Sequence, residues 1–146
     1  MKRACCSALP AVILLLSCSG RDTASAVASH ADPSQQIRQI PPADPRNYSH
    51  LRDLKNWRNP YLIIHKDGVG LLDVSNNEER LLKPEELPAA LARLPASAWP
   101  YGRVVAAQEI GPRGSREDEI AIRRSRALVA GTLEEMHVLI NWVPSS

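Results

Sequence analysis

Apolar and polar positions along this chain fall into two regimes that meet near Trp57. Beyond that point apolar residues recur at the periods that define secondary structure. Tyr61 to Lys66 (YLIIHK) and Val69 to Val74 are short runs of β-branched and aliphatic side chains and read as strands. Asp67-Gly68 between them tolerates positive φ at both positions and predicts a two-residue hairpin turn. Pairing Lys66 with Val69 puts Tyr61, Ile63, His65, Gly70, Leu72 and Val74 on one face of the hairpin. Leu62, Ile64, Val69 and Leu71 fall on the other face with Lys66 and Asp73. Both faces are largely apolar, so a helix is expected over one and a different segment over the other. A turn at Ser75-Asn76-Asn77 leads into a short third strand, Arg80-Leu81-Leu82.

A helical period follows. Within Lys83 to Leu94, the residues Leu87, Ala90, Leu91 and Leu94 line one face. Pro84 suits a first helical position, and Glu85 and Glu86 complement the positive end of the helix dipole. Pro88 places the start of the regular part near itself, and Pro95 ends it. Arg103 to Ile110 reads as a strand, broken by Gly111-Pro112-Arg113-Gly114. Ser115 then caps a second helix with acids at 117–119 in its first turn, and Ile122, Val129, Leu133 and Met136 form its apolar stripe. Gly131 reads as the C-cap of that helix, with Thr132 to Glu135 as a capping box for a last turn. Val138 to Val143 closes the domain as a strand, so residues 103–143 predict a right-handed parallel crossover. The expectation is one small α+β domain over residues 57–146: a β-hairpin, then helix, strand, helix and strand, forming one sheet packed by two helices.

Residues 18–56 are rich in Ala, Ser, Asp, Gln and Pro, and Pro33, Pro41, Pro42 and Pro45 forbid a long helix there. This stretch predicts a flexible-to-extended tether, with a short helical turn near Leu51, Leu54 and Trp57 docking on the domain.

The first residues carry an address. Lys2 and Arg3 precede an uncharged apolar run from Ala8 to Leu16, too short to cross a bilayer as a helix. A positive start followed by such a run is the pattern of a secretory signal. Leu15-Leu16-Ser17-Cys18 resembles the lipobox of bacterial lipoproteins. The resemblance implies removal of residues 1–17, a diacylglyceryl thioether on Cys18, and acylation (a palmitate-like chain) of its new amine. Ser19 after the cysteine implies the outer membrane of a cell that has two. The alternative is ordinary cleavage at Ala24-Ser25-Ala26 or Ala26-Val27-Ala28. Cys5 and Cys6 leave with the signal, so the mature chain has no disulfide and its core must hold alone.

Charge narrows the partners. The chain is formally +2, and Lys2 and Arg3 are the only charges in residues 1–17, so the mature chain is 2 − 2 = 0. A neutral domain has no electrostatic footprint for nucleic acid. The core contains no Phe and is built from Leu, Ile, Val and Ala.

Ile63 to Leu87, IIHKDGVGLLDVSNNEERLLKPEEL, resembles the strand, Asp-Gly turn, strand and acidic helix start of the periplasmic domain in the ExbD/TolR family of envelope-motor stator subunits. About 25 residues carry this resemblance, and the remainder follows only the order of elements. It implies a fold and no functional residue, because the family's transmembrane helix and its aspartate have no counterpart here.

The candidate sites are few. His30, His50, His65 and His137 lack metal-ligand spacing, and no cofactor is expected. Ser115 has a capping role and no His-Asp context. Arg113 and Arg116, with Arg123, Arg124 and Arg126, read either as an anion-binding edge or as a solvated helix face. Trp99-Pro100-Tyr101 reads either as an exposed aromatic anchor or as a wedge turning the chain into the next strand. The expected role is a non-enzymatic interaction module, lipid-anchored in the cell envelope, contacting an envelope protein or peptidoglycan. Its contact surface is a sheet edge or the Trp99/Tyr101 corner. An accessory to an ExbD/TolR-like transport system and a small hydrolase are the alternatives.

Overall fold

The computed structural model describes residues 32–51, 54–73, 77–110 and 114–144. Asp32 starts the first element: its carboxylate accepts the N–H of Ser34 at 3.0 Å, and Pro33 fixes the first turn of α1 (Pro33–Arg38). Then follow β1 (Tyr61–His65), β2 (Gly68–Asp73), β3 (Glu78–Leu82), α2 (Leu87–Ala92), β4 (Val104–Glu109), α3 (Arg116–Glu135) and β5 (Leu139–Val143). The five strands form one mixed sheet in the order β3-β2-β1-β4-β5. β1 pairs antiparallel with β2, and β2 with β3, whereas β4 runs parallel to both β1 and β5. The α+β architecture expected from the pattern is the one observed, with β4, α3 and β5 forming the parallel crossover.

The hairpin turns one step earlier than its sequence suggests. His65 pairs with Gly68, so the turn residues are Lys66 and Asp67, and neither has positive φ. Gly68 serves a different need: a Cβ there would come within 2.4 Å of the Leu82 carbonyl oxygen on β3. The pairing slips by two residues along β2, which preserves the parity of every position and hence the predicted faces. The third strand also starts earlier, at Glu78.

On the helix-covered face, Leu62, Ile64, Val69, Leu71, Val105 and Ala107 pack with Leu87, Leu91, Ile122, Val129, Leu133 and Met136. α3 starts as predicted, with a reciprocal capping box between Ser115 and Asp118. Its end differs. The helix runs through Gly131 to Glu135, so neither the Gly131 cap nor the Thr132 box forms. Continuing buries Leu133 and Met136, worth roughly 1.5–3 kcal/mol each. A helical glycine costs only about 1 kcal/mol, so burial decides. The stop lies at His137, φ 56°, whose N–H donates to Glu134 O while Val138 N–H donates to Leu133 O, both at 2.9 Å. These are the paired bonds of a Schellman cap, sealed by buried Leu133 and Val138. α2 is shorter than expected; a 3₁₀ turn at Pro84–Glu86 leads into it.

The opposite face is covered by a different segment, as expected, and the short turn predicted near Leu51, Leu54 and Trp57 docks there as a 3₁₀ turn at Leu54–Asn56; the correction is that residues before it, read from sequence as tether, pack with it. Tyr61, Val104 and Ala106 lie buried beneath Trp57, with Ala43, Tyr48, Leu51 and Tyr101 packed around them. The prolines do exclude a long helix. They leave an extended belt whose backbone bonds the domain directly, Arg103 N–H to Pro41 O at 2.9 Å and Asp44 N–H to Tyr101 O at 3.3 Å. α1 extends the belt to the helical face, where Ile37 is 1% exposed. Described residues 32–56 therefore belong to the domain.

Candidate functional site

One end of the sheet is assembled by a single side chain. Asn59, 1% exposed, donates from Nδ2 to the carbonyls of Gly102 and Val104, both at 2.7 Å. Its Oδ1 accepts the N–H of Tyr101 at 2.9 Å. The clamp ties the approach to β1 onto the approach to β4. Gly102 completes it with φ +77°, and a Cβ there would stand 2.4 Å from the Pro42 carbonyl oxygen. The belt, β1 and β4 thus meet at one rigid corner. Neither Asn59 nor the clamp was read from sequence; Asn59-Pro60 before a strand is the turn signal that marks it.

This corner settles the Trp99-Pro100-Tyr101 alternatives. Trp99 is 3% exposed and belongs to the helix-face core, so it is no exposed anchor. Tyr101 turns to the other face, where its ring lies 5.3 Å from Trp57 and 6.3 Å from Tyr48, and its hydroxyl donates to Asn56 O at 3.1 Å. The two aromatics therefore pack on opposite faces of the sheet, one on each side of Pro100. Pro100 between them is exposed.

Arg116 is exposed in the first turn of α3, whereas Arg113 and Cys18 lie outside the described residues. The remaining arginines of that group do not converge. Arg123 pairs with Glu119 at 3.3 Å, and Arg126 pairs with Glu109 while lying 4.2 Å above the Trp142 ring. Lys66 donates to Asp118 at 3.0 Å, pinning the hairpin to the start of α3. That bond, assisted by the Ser115 N–H, holds the Asp118 carboxyl below the usual carboxylate range and the Lys66 ammonium above its own.

The residues weighed for hydrolysis are dispersed. Ser115 is engaged in its cap, and His137 lies past the far end of the 20-residue α3, about 30 Å away at 1.5 Å per residue. His65 bonds Glu79 from the other face of the sheet, above Gly70, whose missing Cβ leaves room for that carboxylate. Among the described residues no cluster of His, Cys, Asp and Glu is placed to hold a metal, and no helix is long and apolar enough to cross a membrane.

The remaining features are a groove and two sheet edges. The groove, about 810 Å³, opens beside the Asn59 clamp. Leu71, Leu94, Pro95 and Ala98 supply its apolar side; Arg58, Asp73, Glu78 and Arg80 supply exposed charge. The two edges differ in chemistry: β3 carries Glu78, Glu79 and Arg80, whereas β5 (Leu-Ile-Asn-Trp-Val) carries no charge. No protein-family model matches this chain, and no curated protein or solved structure matches it significantly.

Proposed function

We propose that the protein is a lipid-anchored module of the bacterial cell envelope that acts by binding another envelope component, without catalysis. The lipobox-like Leu15-Leu16-Ser17-Cys18 supports the anchor, with Cys18 as the lipid attachment point and a periplasm-facing domain. The observation that carries the binding role is the groove of about 810 Å³, where apolar Leu71, Leu94 and Ala98 meet exposed Arg58 and Arg80. Apolar surface bounded by a few charged groups suits an extended protein segment, whose side chains fill the hollow while its polar groups meet the rim. The Asn59 clamp lines that hollow and holds its Arg58–Pro60 wall in place, which lowers the entropy lost on binding.

The test is purification of the native protein from membranes in mild detergent, with mass spectrometry of co-purifying chains. A stoichiometric envelope partner, lost on Cys18→Ala and on Leu94→Arg, is the expected result. A proton-channel subunit as that partner would favour the transport-accessory role; a toxin or hydrolase would favour an inhibitor. Recovery of an unlipidated, partnerless protein from the soluble fraction would overturn the proposal.

A further inference from the structure

The backbone of the β5 edge defines its own complement. Leu139 N–H donates inward to the carbonyl of Arg103, just before β4, at 3.0 Å. Strand alternation therefore turns the N–H and C=O of Ile140 and Trp142 outward. The ladder ends on both sides of these two residues. Val138 N–H is committed to Leu133 O, and Pro144 has no N–H and gives its carbonyl to Gln108 Nε2 at 3.4 Å. Among the described residues, Ile140 and Trp142 present two donors and two acceptors on this edge, with only the Val138 carbonyl beyond them.

We propose that β5 pairs antiparallel with β5 of a second copy of this chain across a two-fold axis through Asn141. In that register Ile140 of each copy faces Trp142 of the other as hydrogen-bonded pairs, giving four backbone bonds and using every N–H and C=O of Ile140 and Trp142 on both edges. Asn141 faces its own mate in a non-hydrogen-bonded pair, the closer kind, where two carboxamides can each donate to the other. Leu139, 54% exposed in the single chain, is covered by Val143 of the mate. The result is one continuous ten-stranded sheet. Sheet edges are normally protected by charge, proline or bulges. β3 follows that rule with three charged residues of five, whereas β5 has none within the strand. The pairing of an edge with itself is isologous, so it closes at two chains. It depends neither on the Cys18 anchor nor on a groove partner.

The test uses the full chain purified in detergent with micelles in excess. Asn141→Cys is expected to give a disulfide-linked dimer on mild oxidation, while Arg80→Cys on β3 stays monomeric. Sedimentation should show a reversible dimer for the parent chain. Asn141→Lys and Asn141→Asp, each placing like charges face to face, should weaken it about tenfold, and mixing the two variants should restore a heterodimer. Circular dichroism of both variants matching the parent separates lost pairing from lost folding. A parent chain that stays monomeric at the highest attainable concentration, Asn141→Cys without cross-linking, or mixed charge variants that fail to recombine would each overturn the proposal.

Discussion

Asn59 holds three hydrogen bonds at a position 1% exposed to solvent, and it satisfies polar groups from three different residues. Removing such a side chain costs more than the bonds it made, because the Tyr101 N–H and the Val104 carbonyl lose this partner in a buried setting, while the Gly102 carbonyl keeps the Val104 N–H at 2.8 Å. Asn59→Ala is expected to lower unfolding stability by about 3 kcal/mol, at roughly 1–3 kcal/mol for each group left unpaired with partial relaxation. Urea unfolding with an unchanged m-value would register this as a fall in midpoint alone. Asn59→Asp should be no milder, since it trades two N–H donors for a carboxylate oxygen facing two carbonyls. An Asn59→Ala midpoint within error of the parent would mean that the clamp contributes nothing. The clamp was hard to read in the sequence for a physical reason: an Asn before Pro signals a turn, but its partners lie 42 to 45 residues away, and local pattern carries no such range. His137 was equally opaque, because its left-handed φ of 56° falls on a residue type that rarely marks a helix stop.

At the scale of elements, α3 shows where pattern succeeds and where it loses to packing. Its capping box and apolar stripe were legible, since both are local: Ser115 with Asp118, then Ile122, Val129, Leu133 and Met136. Its end was not, because the burial of Leu133 and Met136 overrides the glycine at 131, and a Cβ at that glycine would meet nothing within 4 Å. The same helix carries a pH dependence. Asp118 titrates below its usual range in the folded chain, chiefly through the bond from Lys66. A depressed carboxyl contributes stability that is fully present above the unfolded-state value of about 4 and is lost as pH falls through the lower folded value. Asp118→Asn keeps an oxygen for the Ser115 N–H and removes the charge. Thermal unfolding of the two chains should therefore differ at neutral pH, with the parent more stable, and the difference should shrink as pH drops below about 4. A difference independent of pH would assign the effect to the cap and not to the ion pair.

At the scale of the whole molecule, the belt decides how large the cooperative unit is. Only the turn near Leu51, Leu54 and Trp57 was legible as docking; before it, proline spacing and polar composition read as a tether, because Ile37, Ala43 and Tyr48 follow no helical or strand period. An extended segment laid across a sheet imposes no period, so its apolar residues recur wherever the sheet offers a hollow. The structure places Ile37 in the same core as Leu91, Trp99 and Leu133, and Trp57 over Tyr61, Val104 and Ala106. One element thus reaches both faces of the sheet, and its loss would expose both cores together. Ile37→Ala is expected to cost about 2–4 kcal/mol, the range for deleting a fully buried aliphatic side chain. It should do so through one global transition, lowering Tm by at least about 4 °C per kcal/mol, seen equally by indole fluorescence and by far-ultraviolet circular dichroism. A belt that merely rests on the domain predicts the opposite. Its release would then appear as a separate, earlier change in fluorescence, and the main transition would keep its midpoint. Coincident shifts in both signals mean that the chain from Asp32 onward unfolds as one body, so the corner where the belt meets Asn59 and Gly102 is lost together with the sheet.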